Sequence, residues 1–295
     1  MQWTANDIIR YYRTNELAYS VWGRNMHYGY WEAGIRTQRQ ASLRFNEVMA
    51  AKAGITGSDH VLDAGCGVGG ACIYMAKTFG CRATGITICP RQVEQARNNA
   101  RREGVAHLTE FHEMDYEHTA FGDGQFDLVW GLESICYAKS KEQFVREAYR
   151  ITGERGRLIV ADGFASREAY HGRDAKLMQR WLDGWIVNSL NTPAAFKRFA
   201  EGAGYRIAEY EDVTPKVMPT SRLMFIASLP FFPLHIIDKI VRLKSYPADA
   251  MFNQYLAIRK GLWQYGIFYA EKQGRSSAAA AGQAADAATL SPSPG

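Results

Sequence analysis

Val61-Leu62-Asp63-Ala64-Gly65-Cys66-Gly67-Val68-Gly69-Gly70 reads as the end of a short buried strand, a glycine-rich turn and the start of a helix. Val61 and Leu62 are the apolar strand end. Gly65, Gly67 and Gly69 supply the positive φ and the bare backbone that a tight turn requires. Residues 71–79 continue as a helix, with Gly80 as its stop. Backbone N–H groups bared at such a turn, next to a helix start, suit the polar part of a nucleotide-like ligand. Dinucleotide enzymes use a related turn, but their spacing is Gly-x-Gly-x-x-Gly; here it is Gly-x-Gly-x-Gly, and Asp63 stands two residues before the first glycine.

The pattern repeats outward from this stretch. Apolar runs at 81–88, 108–114, 125–130, 157–161, 205–213 and 266–271 read as further strands. Residues 91–103, opened by Pro90, and 141–151, with Phe144, Val145, Ala148 and Tyr149 on one side, read as helices. Strands alternating with helices predict an α/β fold: a Rossmann-like, seven-stranded, mostly parallel sheet with helices on both faces. Right-handed crossovers gather the strand C-terminal ends along one edge, where ligands bind. Asp63, Thr87, Asp115 and Glu133 all fall at such ends, which predicts one continuous site.

The flanks differ in character. Residues 1–54 read as a helical, aromatic N-terminal cover. It holds Tyr11, Tyr12, Leu17, Tyr19, Val21 and Trp22, then the block Met26-His27-Tyr28-Gly29-Tyr30-Trp31. Its second helix spans 38–53, with Leu43, Val48 and Met49 as core candidates. The core, 55–273, carries helical lid insertions at about 165–191 and 215–262. In the first, Leu177, Trp181 and Trp185 recur at spacing four across 174–190, beside Met178, Leu182 and Ile186. In the second, the apolar run 223–237 is expected to pack inside the lid rather than on lipid, because Pro230 and Pro233 spoil a continuous surface helix. Residues 274–295, rich in Ala, Gly, Ser and Pro, read as a disordered tail.

Composition excludes several classes. A net charge of +5 over 295 residues is too mild for a nucleic-acid partner, and no basic arm is visible. The five cysteines form no Cys-x-x-Cys and no His/Cys cluster, so no metal site is expected. They read as buried free thiols of the sheet core in a reducing compartment. With no basic-then-apolar leader and no run long enough to span a bilayer, a cytoplasmic protein without a transmembrane segment is expected.

Three blocks resemble class I S-adenosylmethionine (SAM) dependent methyltransferases. The branch is the one that includes γ-tocopherol methyltransferases, sterol methyltransferases and cyclopropane fatty acid synthases. The blocks are residues 22–30, the glycine turn at 61–70, and Gly85-Ile86-Thr87-Ile88-Cys89-Pro90-Arg91-Gln92, which resembles that branch's Gly-Ile-Thr-Leu-Ser-Pro-x-Gln. The resemblance is good over 10–165 and thin afterwards. It implies SAM as cofactor. Gly65, Gly67 and Gly69 would bind the donor, the first two along the methionine moiety, and Asp63 would fix the turn. Thr87 and Gln92 would serve the ribose, Asp115 the adenine amino group with Tyr116 packing nearby, and Tyr12 and Tyr28 the donor carboxylate. It departs at Cys89, where the branch has Ser, at Thr152-Gly153-Glu154-Arg155-Gly156, which replaces Leu-Lys-Pro-Gly-Gly, and at Tyr137, where a His is common. Glu133 is the first candidate base, and His27 the second.

The expected function is methyl transfer to a small hydrophobic acceptor, an isoprenoid, lipid or other natural product, with carbon methylation first. An O- or N-methyltransferase of a secondary metabolite is the alternative, and a non-catalytic SAM-binding scaffold a further one. Whether the chain forms a homo-oligomer is left open.

Overall fold

The computed structural model describes residues 3–15, 23–231 and 246–272. The expectations for Leu17, Tyr19, Val21 and Trp22, for 232–237 and for the tail lie outside these residues.

The strands are β1 (His60–Ala64), β2 (Arg82–Thr87), β3 (Thr109–Glu113), β4 (Phe126–Leu132), β5 (Thr152–Ala165), β6 (Tyr205–Asp212) and β7 (Trp263–Lys272). They form one sheet in the order β3-β2-β1-β4-β5-β7-β6. β1 to β5 pair in parallel, and β7 runs antiparallel between β5 and β6. The expected seven-stranded, mostly parallel sheet is therefore present. β5 and β7 exceed their expected lengths: the two pair with each other from Arg157↔Glu271 to Ala165↔Trp263, and β5 also starts early, at Thr152 opposite Phe126, where a turn was expected.

Both faces are covered, so the central strands are apolar on both sides. In β4, Leu128 and Trp130 pack on one face and Val129 on the other; β5 alternates in the same way through Leu158, Ile159, Val160 and Ala161. The first face carries α1 (Ala5–Thr14) at its rim, α2 (Gln38–Ala53), α6 (Gly172–Gly184), α8 (Thr214–Ser228) and α9 (Tyr246–Arg259). The second carries α5 (Lys141–Ile151) and α7 (Pro193–Ala203). The helices α3 (Gly70–Phe79) and α4 (Pro90–Arg102) flank β1 to β3.

Several local expectations are corrected. In α2 the core face is Ala41, Phe45, Met49 and Ala53, one turn apart, which leaves Leu43 exposed. The first lid helix stops at Gly184; Trp185 is its C-cap, and Ile186 takes a positive φ of 52°. In α8 the inward face is Val217, Thr220, Ser221, Met224 and Ser228, so Leu223 (47% exposed) and Ile226 (51% exposed) point to solvent rather than into the lid. The cysteines are free but none lies in a strand, and Cys136 is only half-buried, in a short turn after β4.

Residues 23–37 cross the sheet edge as a strap. Tyr30 N–H donates to Ala41 O (2.9 Å) and Trp31 N–H to Lys216 O (2.9 Å). At the outer end Arg24 and Lys77 both pair with Glu103, at 2.5 and 2.6 Å. The strap rests on bare backbone: a Cβ on Gly70 would lie 2.4 Å from Arg24 O and 2.7 Å from Asn25 Oδ1. Gly70→Ala is therefore expected to lift the strap and to cost about 1–3 kcal/mol in urea unfolding, the range for overpacking. A wild-type midpoint in the variant would show that the strap is not seated there.

Candidate active site

A cavity of about 310 Å³ opens at the C-terminal edge of the sheet, beneath the strap. Asp63, Gly65, Gly67, Thr87, Gln92, Asp115, Tyr116 and Glu133 line it, together with His27, Tyr28 and Tyr12. Gly69 stays outside: it caps α3 at φ 85°, and a Cβ there would press on Ala96 and Phe111 at 3.0 Å.

The turn after β1 is tied to its neighbours. Gly65 N–H and Cys66 N–H both donate to Ile86 O, each at 2.9 Å, so these two N–H groups face β2 rather than a ligand. Gly65 has φ 93°, and a Cβ there would meet Ser134 Cβ at 2.3 Å. Gly67 differs. It has φ 52°, and its Cβ would touch only Met26 Cε, at 3.4 Å, beside the cavity. Asp63 is buried, and the partner found for its carboxylate is the Cys72 thiol, Sγ to Oδ2 3.5 Å. Burial pushes its carboxyl up to about 7. A carboxylate so poorly served by the protein fits a cationic or N–H-bearing ligand group.

At the end of β2, the Thr87 hydroxyl donates to Gln92 Oε1 (2.7 Å) and accepts from Cys89 N–H (3.2 Å). Thr87 thus orients Gln92, whose amide nitrogen is the group left for a ligand. Asp115 Oδ1 closes a turn by accepting from Glu117 N–H (2.9 Å). The Tyr116 hydroxyl donates to Ser134 O (2.9 Å), and its ring packs edge-on against Phe144. Tyr12 packs edge-on against Tyr11 and Tyr137.

Glu133 ends β4 with a positive φ of 51°, which a non-glycine residue seldom adopts. Its N–H donates to Ala161 O (2.9 Å). Its Oε1 accepts from Tyr28 N–H (2.6 Å) and from the Tyr265 hydroxyl (2.8 Å). Burial pushes the carboxyl up to about 8. His27 is held by its Nδ1, 2.7 Å from Tyr28 O, while its Nε2 is buried with no partner among the described residues. Burial lowers His27 to about 4, so the imidazole is neutral and weakly basic.

Among the polar residues in or behind this site, Asp162, Lys141, Tyr265 and Gln254 escaped the sequence reading. Asp162 on β5 accepts from Cys136 N–H (2.8 Å) and Gly163 N–H (2.7 Å), and burial raises it to about 6. Lys141 is buried and lowered by that burial; its Nζ donates to Cys136 O, Ala138 O and Ser189 O at 2.9, 2.9 and 3.0 Å, which pins the turn after β4 to the loop after α6. Tyr265 and Gln254 come from β7 and α9. Only a register for β7 could have pointed to Tyr265, and nothing local marks the other three.

The far half of the cavity is apolar, walled by Trp181, Trp185, Trp263, Met224 and Met251. Trp181 stacks on Trp263 with centroids 4.4 Å apart.

The buried acids set a pH dependence. Glu133 is raised from 4.5 to about 8 and Asp63 from 3.8 to about 7, so the folded state holds more protons than the unfolded chain between these limits. Their contribution is complete below the unfolded values and is lost as pH rises through the folded ones. His27, lowered from 6.5 to about 4, acts in the opposite sense only below 6.5. The ligand-free protein is thus expected to lose about 1–2 kcal/mol between roughly pH 6.5 and pH 8. Urea midpoints that stay flat or rise over that interval would contradict the burial of these carboxyls.

Comparison with known proteins places this geometry. Residues 62–160 match the methyltransferase domain family. A probable tocopherol O-methyltransferase from Oryza sativa subsp. japonica is 30% identical over 214 residues, covering 68% of this chain and 59% of that protein. The tocopherol O-methyltransferase of Arabidopsis thaliana is 33% identical over 183 residues, 58% of this chain and 52% of that protein. The chain thus spans a little over half the length of these relatives. The solved structure of a geranyl diphosphate methyltransferase with GPP and sinefungin superposes with a TM-score of 0.74 at 20% identity, covering 91% of this chain and 99% of that one, a likeness of fold. The chain belongs to the class I SAM-dependent methyltransferases. Within them it resembles the branch that holds the tocopherol methyltransferases.

Proposed function

We propose that the chain binds SAM over β1 and β2 and transfers its methyl group to a small hydrophobic acceptor, an isoprenoid, lipid or other natural product, by carbon methylation. One observation carries the reading. A single cavity runs from the glycine turn to the tryptophan wall, and Glu133 stands between its halves. The sheet order explains the position, since β4 separates β1 from β5 and β7. The residues fit the cofactor: Asp63 lacks a strong partner, Gln92 has an unspent amide, and the Gly67 side of the turn is open.

The bound sulfonium supplies an activated methyl group, so the protein has to orient, exclude water and remove a proton. Asp63 would hold the amino end of the donor, Gln92 the ribose hydroxyls, and Asp115 the adenine amino group through the oxygen its turn leaves over. Tyr28, on the strap itself, and Tyr12, at the rim, would serve the donor carboxylate. Glu133, ionised, would take the proton that a methylated carbon must lose, or that of an acidic hydroxyl if oxygen is the acceptor. His27 is too weak a base for that role but can hydrogen-bond through Nε2.

Residues 3–15 and 23–54 form, on this reading, a cover that excludes water once the donor is bound. Hydrogen exchange in 23–31 is expected to slow when S-adenosylhomocysteine is added; unchanged exchange there would remove the cover from the mechanism. The free cysteines support a reducing, cytoplasmic setting. No helix among the described residues is long and apolar enough to cross a membrane. The activity itself is tested by transfer of labelled methyl from SAM into fractionated metabolite extracts, with mass spectrometry of the product. Absence of any labelled product with normal SAM binding would favour a non-catalytic scaffold.

A further inference from the structure

In the tryptophan-walled half of the cavity, Gln254 is a polar side chain whose orientation is dictated by its neighbours. Gln254, on α9, is 6% exposed and lines the cavity among Trp181, Trp185 and Met251. Trp185 Nε1 lies 2.9 Å from its Oε1. An indole nitrogen only donates, so the atom facing it must be the amide oxygen. Trp263 Nε1 donates to the backbone carbonyl of the same residue at 3.1 Å. Two indoles therefore lock Gln254 from both ends, and its NH₂ has no hydrogen-bond partner among the described residues. A second donor in this wall, Trp181 Nε1, is also buried without a partner among them.

A wall built only to hold a hydrocarbon has no use for such a group. When a plain alkene or alkyl chain displaces water from this half, the amide N–H bonds are left unmatched, and the loss is the desolvation of a buried donor. A site that presents a donor discriminates strongly against the analogue lacking its acceptor.

We propose that Gln254 is a specificity residue that recognises a carbonyl or ether oxygen on an otherwise apolar acceptor. The acceptor is then an oxygenated ring or chain with its oxygen at the Trp185–Gln254 pair and its reacting atom toward Glu133. The orientation toward Glu133 rests on the methyltransferase reading; recognition of the oxygen does not.

The test uses two probes of nearly equal shape, α-tetralone and tetralin, in equilibrium dialysis against the 295-residue chain with and without S-adenosylhomocysteine. The ketone is expected to bind roughly tenfold more tightly, the value of one well-made hydrogen bond. In Gln254→Leu that preference should shrink to about twofold or less. In Trp185→Phe, which frees the amide to turn, it should fall part of the way. If Gln254→Leu fails to fold, Gln254→Met and Trp185→Phe carry the same comparison. Equal binding of the two probes by the wild type, or a ketone preference that survives in the Gln254 variants, overturns the proposal; the latter would assign the oxygen to another donor such as a protonated Glu133. Calorimetry with S-adenosylhomocysteine separates the two readings. No cofactor binding beside an intact ketone preference removes the methyltransferase reading and leaves the Gln254 assignment standing.

Discussion

Glu133→Gln is expected to lower kcat by roughly 10²- to 10⁴-fold while SAM binding stays within a few-fold. The substitution is nearly isosteric and keeps an oxygen for the Tyr28 N–H and the Tyr265 hydroxyl, so the strap and β7 retain their anchor. What it removes is the group that can ionise. With the wild-type carboxyl raised to about 8, kcat/KM should climb as pH approaches that value, and the variant's residual rate should lack the climb. Stopped assays of kcat and calorimetry of SAM on the same preparation decide it. Collapse of SAM binding would make Glu133 a donor-binding residue and move the search for a base to Tyr137, His27 being too weak. No change in either quantity would leave proximity as the mechanism, which suits an already acidic O–H or N–H acceptor better than an alkene carbon.

Gly67→Val is expected to weaken SAM binding by more than about a hundredfold in a protein that still folds. Two costs combine: a β-branched residue at φ 52° is strained, by about 1–2 kcal/mol, and its side chain enters the space beside Met26 that the donor is proposed to use. Gly65 is the contrasting position. A side chain there collides with Ser134 inside the protein, so its loss would read out as misfolding rather than as lost affinity. Unchanged SAM binding in folded Gly67→Val, measured by calorimetry, would move the donor away from this turn.

The half of the cavity over β1 and β2 was legible because its residues are local. Asp63, Thr87 and Glu133 each end a strand that announces itself by an apolar run, and parallel connections bring such ends to one edge. The tryptophan-walled half was not. Tyr265 reaches Glu133 only because β7 pairs with β5 in one register, and an antiparallel insertion leaves no trace in local periodicity. Gln254 and Lys141 lie on helices where a buried polar side chain looks like any solvated one. Asp162 sits inside an apolar run that reads as plain core. The lid helices were expected as elements, but which face they bury was not: α8 turns Thr220 and Met224 inward and Leu223 and Ile226 outward.

The insertion of β7 between β5 and β6 also bears on biosynthesis. Of the seven strands it is the last to leave the ribosome, yet it occupies an interior slot. Until residues 263–272 emerge, β5 and β6 each wait with an open edge, the kind of surface on which nascent chains pair with one another. The same ten residues deliver Trp263 and Tyr265, so an arrested chain cannot hold a finished cavity wall. Chaperone demand during translation should therefore peak late, and a nonsense codon ahead of Trp263 should yield aggregate rather than a weakened enzyme.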